Sequence, residues 1–265
     1  MAARSEDSRV AEFEGIHRRM TAGDLAARAE MQRRLPELLR LADGGDVDAQ
    51  ALAGGLFAEQ FKRPAEARRY FEMAAKQGHV AGRRGLGFML LRSGERLEVD
   101  RAVALLTSAA QDGDAFAAYN LGMLFRKGEL VAADEARARA SFQLAGTLGL
   151  GAGAAVFAEY LAADGLYEQA REWNLRGAEA GSVPAMYALA KSYCNGIGGP
   201  VDRVQAVRWF LRMLDRGDTR GVDEVVRIAA LMSPEQIREA ARLGGRAEDA
   251  RVLIERAHTT DARRR

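Results

Sequence analysis

Alanine, bulky apolar and glycine positions recur along this chain with a fixed internal spacing. Each copy begins at an alanine, places a mostly bulky pair three and four residues later, and closes on a glycine 11 residues after the alanine. Steps of three and four lie on one face of an α-helix, and a closing glycine suits a left-handed helix end. The pattern therefore predicts the second helix of a helix–turn–helix unit. The five copies begin at Ala67, Ala102, Ala138, Ala170 and Ala206 and close at Gly78, Gly113, Gly149, Gly181 and Gly217.

A second helical stripe lies between successive closing glycines and predicts the first helix of each unit. It is clearest around Leu121 and Leu189, each followed by a small residue and, three residues after that, by an aromatic residue. Gly87 and Gly122 lie inside these helices, where glycine costs up to about 1 kcal/mol relative to alanine. Both therefore indicate close packing against a neighbouring helix. The predicted first helices are 47–60, 80–91, 115–127, 151–163 and 183–195, and the predicted second helices are 64–77, 100–111, 134–148, 166–180 and 201–216.

Capping signals and the two ends of the chain complete the helix prediction. Asp134, Asp202 and Glu98 each lie four residues before a stripe alanine, where an acid can cap a second helix or meet its positive end. The N-terminal segment 24–42 is expected to be a helix broken or kinked at Pro36. At the other end, three short helices are predicted at 222–231, 234–243 and 247–257.

Strand-like alternation is not evident anywhere, so the sequence predicts an all-α fold. The copies follow one another without gaps, which is typical of a right-handed α-solenoid of about five helix–turn–helix repeats with N- and C-terminal capping helices. The expected organisation is an N-terminal capping helix region at 1–45, five repeats at 46–217, C-terminal capping helices at 218–258 and a disordered tail at 259–265.

The repeated residues resemble the Sel-one-like repeat family, a branch of the tetratricopeptide-like superfamily with bacterial members. The resemblance is carried by Leu121-Gly122, by Asp202 and Ala206, and by Trp209-Phe210, while Ser141 and Asn174 depart from the bulky residues that the family usually shows. It implies a protein–protein interaction scaffold or adaptor that is not an enzyme. Some secreted members are linked to penicillin binding or β-lactam hydrolysis, but they resemble a cysteine-rich subset. Cys194 is the only cysteine here and argues against that alternative.

Composition and short motifs give little support for RNA, metal or nucleotide binding. The formal net charge is +2, whereas RNA binding, a further alternative, favours a concentrated basic field. His17, His79 and His258 lack metal-ligand spacing, and His79 is expected to cap or turn a helix. The Gly149-x-Gly151 pattern resembles a nucleotide loop, but the expected helix before it is the wrong context. We therefore expect no catalytic residues, metal or cofactor, and a cytoplasmic protein without a membrane span.

The first helices of a solenoid line its concave wall, which predicts where a partner would bind. Positions outside the core stripe should face this groove and could hold a partner protein or peptide with acidic side chains, because arginine pairs well with carboxylates. The alternative is ordinary solvated surface. The candidate groove residues are Arg84, Phe88, Arg92, Tyr119, Met123, Arg126, Lys127, Tyr187, Lys191 and Asn195.

Overall fold

The computed structural model describes the backbone of residues 3–262 and the side chains of residues 9–257. Helices account for all of the regular secondary structure in this part of the chain. The chain divides into two compact units, residues 1–133 and residues 134–265, here called the first and second units. The predicted all-α fold class is confirmed.

The described residues of the first unit form seven helices, and one hydrophobic core runs through the first six of them. Its helices are α1 (Ala3–Thr21), α2 (Leu25–Asp43), α3 (Val47–Glu59), α4 (Pro64–Lys76), α5 (Val80–Leu91), α6 (Arg96–Gln111) and α7 (Ala115–Lys127). Consecutive helices pack against each other from α1 to α7. The core begins at Phe13 of α1, which is fully buried together with Met31, Leu56 and Leu86. The N-terminal helix therefore covers the open end of the repeats in this unit.

The second unit contains the remaining helices. They are α8 (Glu135–Thr147), α9 (Gly151–Ala163), α10 (Tyr167–Glu179), α11 (Val183–Asn195), α12 (Arg203–Leu214), α13 (Val222–Ala229), α14 (Pro234–Leu243) and α15 (Ala250–Ala262), with a 3₁₀ turn at Ala247–Asp249. Its core centres on Trp209 and Phe210 of α12, both fully buried. The helices α13, α14 and α15 pack around this core and close the C-terminal end of the unit.

The helix ends observed in the structure agree with the signals in the sequence. All five closing glycines have positive φ, between 75° at Gly217 and 93° at Gly113. Asp134 and Asp202 cap α8 and α12 by accepting hydrogen bonds from backbone amides three residues later. Gly87 is needed for packing, since a Cβ there would lie 2.9 Å from Cγ of Leu106. Small residues thus set how closely neighbouring helices approach.

The structure refines three expectations. Of the two roles open to Glu98, it shows the second: α6 begins at Arg96, so Glu98 is not a cap but an acid in the first turn, at the positive end of the helix. Of the two alternatives for Pro36, the structure contradicts the break: α2 continues through this residue. The ring of Pro36 lies on the exposed side of the helix, as does Gln32, whose carbonyl loses its hydrogen-bond donor. The expected disordered tail is helical as far as Ala262, and residues 263–265 lie outside the described residues.

Candidate functional site

A groove of about 1310 Å³ lies in the first unit. Its walls come mainly from α1, α3, α5 and α7, with the beginning of α4 closing one side. On α3 and α5 the lining positions recur every three or four residues, so each helix presents one stripe to the groove. The two stripes correspond at a spacing of 33 residues, which places Gly55 in register with Phe88 and Ala51 in register with Arg84. Small residues on α3 therefore leave room for larger side chains on α5.

The groove exposes two large aromatic side chains. Phe88 of α5 is 49% exposed and Phe116 of α7 is 56% exposed, although both line a concave surface. Leu52 and Met89 add half-buried apolar surface beside them. Exposed apolar side chains gathered in a concavity are typical of binding surfaces rather than of ordinary solvated faces.

The base of the groove is fixed by the buried ring of Phe71 on α4. A Cβ added at Gly54 would lie 2.6 Å from Cδ1 of this ring, and a Cβ at Gly85 would also overlap it. The ring therefore occupies space that only glycine leaves open on α3 and α5. Gly55, the neighbour of Gly54, meets no described atom within 4 Å of an added Cβ and faces the open groove.

Arg84 and His79, which line the groove, already have polar partners within the protein. Arg84 donates to the carboxylate of Asp114 at 2.7 Å and lies over the ring of Phe116 at 5.5 Å. His79 caps α5, because its Nδ1 accepts a hydrogen bond from the amide of Gly82 at 3.2 Å. That bond leaves the proton on Nε2, which lies 3.0 Å from Oδ1 of Asp48. The expected capping role of His79 is confirmed.

Two cations at one end of the groove have a different environment. Lys62 and Arg92 follow the ends of α3 and α5, are exposed, and form no ion pair with any residue that the structure describes. Glu59 lies on the same side, and Glu14 lies on α1 across the groove. Lys62 also has a φ of 54°, the left-handed conformation that glycine adopts in the equivalent turns at Gly94 and Gly128. A lysine held in that conformation carries backbone strain beside a concave surface.

The structure places the ten candidate groove residues in three different settings. Arg84, Phe88 and Arg92 line the groove. On α7 the groove is lined by Phe116 and Asn120, which lie on the N-terminal part of the same helix face as Tyr119 and Met123. The four candidates on α7 are not among the lining residues; they are Tyr119, Met123, Arg126 and Lys127.

The other three candidates belong to α11 in the second unit. Tyr187 packs edge-on against Phe210 with ring centroids 5.9 Å apart, and Arg220 lies 5.4 Å from its centroid. Lys191 donates to Glu224 at 3.0 Å. Asn195 is exposed as the last residue of α11. Tyr187 and Lys191 are thus engaged within their own unit.

Charge pairing between repeats is the feature that the sequence analysis missed. The pairs join residues about one repeat apart, with separations of 30 for Arg84 and Asp114 and 33 for Lys191 and Glu224. Opposite charges separated by one repeat length were therefore the signal that could have identified them. The groove residues on α1, including His17 and Arg18, had no such signal because α1 precedes the repeats.

Other chemistries find little support in the described residues. No group of three His, Cys, Asp or Glu side chains among them is placed to hold a metal ion. Cys194 lies 3.9 Å from Nη2 of Arg227, without a base beside it in this part of the chain. Gly149 follows α8, so the nucleotide-loop pattern has a helix before it, as the sequence predicted. Within residues 3–262, no helix combines the length and apolar character needed to span a bilayer.

Comparison with known proteins identifies the repeat. The Sel1 repeat family profile matches residues 48–79, 83–114, 115–150 and 183–218, which together are just over half of the chain. The matches omit residues 151–182, the α9–α10 pair that contains Asn174 in place of a usual bulky residue. No curated protein shows significant sequence similarity to this chain.

Two solved structures share the fold. A Sel1 repeat protein from Oxalobacter formigenes is 26% identical with a TM-score of 0.65, and the alignment covers 72% of this chain and 58% of that protein. The c5321 protein, a protective antigen of uropathogenic Escherichia coli with an SLR fold, is 22% identical with a TM-score of 0.54 and shows similarity of fold alone. Its alignment covers 83% of this chain and 55% of that protein, so this chain spans less than two thirds of either neighbour. The repeat pattern, the paired helices and the profile matches together establish that the chain belongs to the Sel1 repeat family.

Proposed function

We propose that this protein is an adaptor that binds a peptide segment of a partner protein in the groove of its first unit. Sel1 repeat proteins are generally protein-interaction scaffolds, which supports binding as the activity. The observation that carries the proposal is the exposure of Phe88 and Phe116 inside one concavity, whose lining also includes Lys62 and Arg92. The segment should combine a large apolar side chain with acidic residues.

The aromatic pair would supply most of the binding free energy. Fully burying a side chain of this size is worth about 1.5–3 kcal/mol, and Phe88 and Phe116 are each about half exposed before a partner arrives. The buried ring of Phe71 keeps the base of the groove in place. A partner would therefore meet a surface that is already formed, which reduces the entropic cost of binding.

The acidic part of the segment follows from the end of the groove that carries Lys62 and Arg92. Arginine binds carboxylates through two parallel hydrogen bonds, and neither cation has a carboxylate partner among the described residues. Arg84 is less available because Asp114 already accepts from it. The backbone strain at Lys62 supports a role in binding, since strain of this kind clusters at functional positions.

Selection from a random peptide library on the immobilised full chain tests this function. We expect enriched peptides to contain an aromatic or large aliphatic residue close to aspartate or glutamate. For a selected peptide, fluorescence anisotropy should show at least about tenfold weaker binding to Phe88→Ala and Phe116→Ala, because each removes a buried contact. Arg92→Glu should weaken it about as much through charge repulsion.

Matched variants outside the groove provide the controls. Tyr167→Ala removes an aromatic side chain that is 51% exposed in the second unit, and Arg33→Glu reverses an exposed charge on α2. Both variants should bind the peptide with the same affinity as the original chain. Enrichment of basic peptides, or equal affinity for the Phe88→Ala variant, would contradict the proposal.

A further inference from the structure

The surface of α12 in the second unit carries positive charge without compensation. Its sequence, from Arg203 to Leu214, contains three arginines and no acidic residue. Arg208 and Arg212 lie on α12, and Arg216 lies in the turn directly after it; these three residues, here called the arginine stripe, follow one another at intervals of four residues. No member of the stripe forms an ion pair with a carboxylate within the described residues.

Neighbouring helices show the opposite behaviour. On α14, Arg238 and Arg242 each pair with a glutamate three residues earlier in the chain. Asp215, the acid nearest to the stripe in sequence, accepts from Arg246 at 3.0 Å and is therefore occupied. Because like charges at a spacing of four repel each other, the stripe is unfavourable for the isolated helix. The nearby acids do not relieve this repulsion.

Packing against other side chains holds the stripe in position. The guanidinium of Arg208 lies 4.7 Å from the ring centroid of Trp209, and that of Arg212 lies 5.7 Å from it. Trp209 itself is fully buried, so these arginines rest on a fixed part of the core. Arg216 lies against Gly181, where an added Cβ would come within 2.8 Å of Nη2. Arg212 and Arg216 nevertheless remain exposed to solvent.

We propose that the arginine stripe is a second docking surface, which binds an acidic helical segment of a partner protein. Arg208 and Arg212 are four residues apart on α12 and so are separated by about 6 Å along its axis, which places glutamates at the same spacing in register with this pair, while Arg216 extends the positive charge beyond the end of the helix. Guanidinium groups favour carboxylates through paired hydrogen bonds. The net charge of the whole chain is only +2, which favours a protein segment over the extended phosphate backbone of a nucleic acid.

A synthetic helical peptide with glutamates at i, i+4 and i+8 tests this surface on the full chain. Fluorescence anisotropy at low ionic strength should show that this peptide binds the original chain. The double variant Arg212→Gln and Arg216→Gln should bind it about tenfold more weakly, because two charge pairs are lost. The control is Arg238→Gln combined with Arg242→Gln, which removes the same charge from arginines that are already paired. This control should change the affinity less than about twofold. Circular dichroism should show that both variants stay folded.

Two further comparisons decide the identity of the partner. An isomeric peptide with its three glutamates at consecutive positions should bind more weakly, since only one of them can face the stripe. A single-stranded RNA and vesicles containing phosphatidylserine should also bind more weakly than the first peptide. Tighter binding of either one through the stripe would overturn the assignment to a protein segment. Equal weakening by the control variant, or no binding at all, would overturn the docking surface itself.

Discussion

The guanidinium of Arg84 and the carboxylate of Asp114 form a hydrogen bond of 2.7 Å that joins two successive repeats. The side chain of Asp114 is only 6% exposed, and the same carboxylate caps α7 by accepting from the amide of Ala117 at 2.9 Å. One buried acid thus fixes the start of a helix and the position of a groove residue. A substitution at Arg84 would therefore disturb the fold as well as the groove.

Replacing Asp114 with alanine should destabilise the protein by about 2 kcal/mol. The loss of the cap contributes about 1 kcal/mol, and the loss of the partly buried bond to Arg84 contributes a similar amount. Urea unfolding measures the change. Asp46→Ala is the control, since Asp46 caps α3 through the amide of Ala49 and pairs with no arginine among the described residues. Its cost should be about 1 kcal/mol, and equal costs for the two variants would refute the contribution of Arg84.

Adjacent glycines on α3 should respond in opposite directions to alanine. Gly54→Ala should destabilise the protein by about 1–3 kcal/mol, because the new methyl group meets the buried ring of Phe71. Gly55→Ala should stabilise it by up to about 1 kcal/mol, because alanine is the better helix former and the added Cβ has space. Thermal and urea unfolding of the two variants would test this. A similar effect of both substitutions would show that Phe71 does not occupy the described position.

Replacing Lys62 with glycine should stabilise the fold while weakening partner binding. Glycine adopts a φ of 54° without strain, so we expect a gain of about 1 kcal/mol in the free energy of unfolding. The same change removes a cation from the groove and should lower affinity for an acidic peptide. Lys62→Asn is a useful comparison, since asparagine tolerates this conformation but carries no charge. If glycine leaves stability unchanged, the lysine is not strained.

The ion pairs of Glu224 predict how stability depends on pH. Hydrogen bonds from Arg227 and then Lys191 hold the pKa of the Glu224 carboxyl below its ordinary value. A carboxyl whose pKa is lowered by folding contributes stability above its unfolded pKa and loses it as pH falls through the folded value. Glu224→Gln should therefore cost about 0.5–1 kcal/mol near neutral pH and almost nothing well below pH 4. Urea unfolding at several pH values measures this difference, and a cost that persists in acid would contradict it.

The sequence predicted the helices well because their signals are local. The beginnings and ends of α5, α7, α9, α11 and α14 coincide with the predicted bounds. The start of α6 differed, since α6 begins at Arg96 and Glu95 before it accepts no capping hydrogen bond through its side chain.

The candidate site was harder to predict because it depends on contacts between repeats. The spacing placed Arg84, Phe88 and Arg92 on one face of α5, and the structure brings all three to one groove. Periodicity alone could not show that α7 lines the groove through Phe116 and Asn120 rather than through Tyr119 and Met123. This depends on how adjacent helices pack against each other, which a repeat length does not determine.

The ring of Phe71 has a consequence for the mechanics of the groove. It is wedged between two helices that form the walls, where glycine leaves just enough room for it. Pushing these walls together would compress a buried aromatic ring, and prising them apart would open a void beside it. Either deformation is costly, so the opening keeps a nearly constant width. A ligand must therefore adapt to this cleft, and selectivity would arise from the stiffness of the receptor as much as from its chemistry.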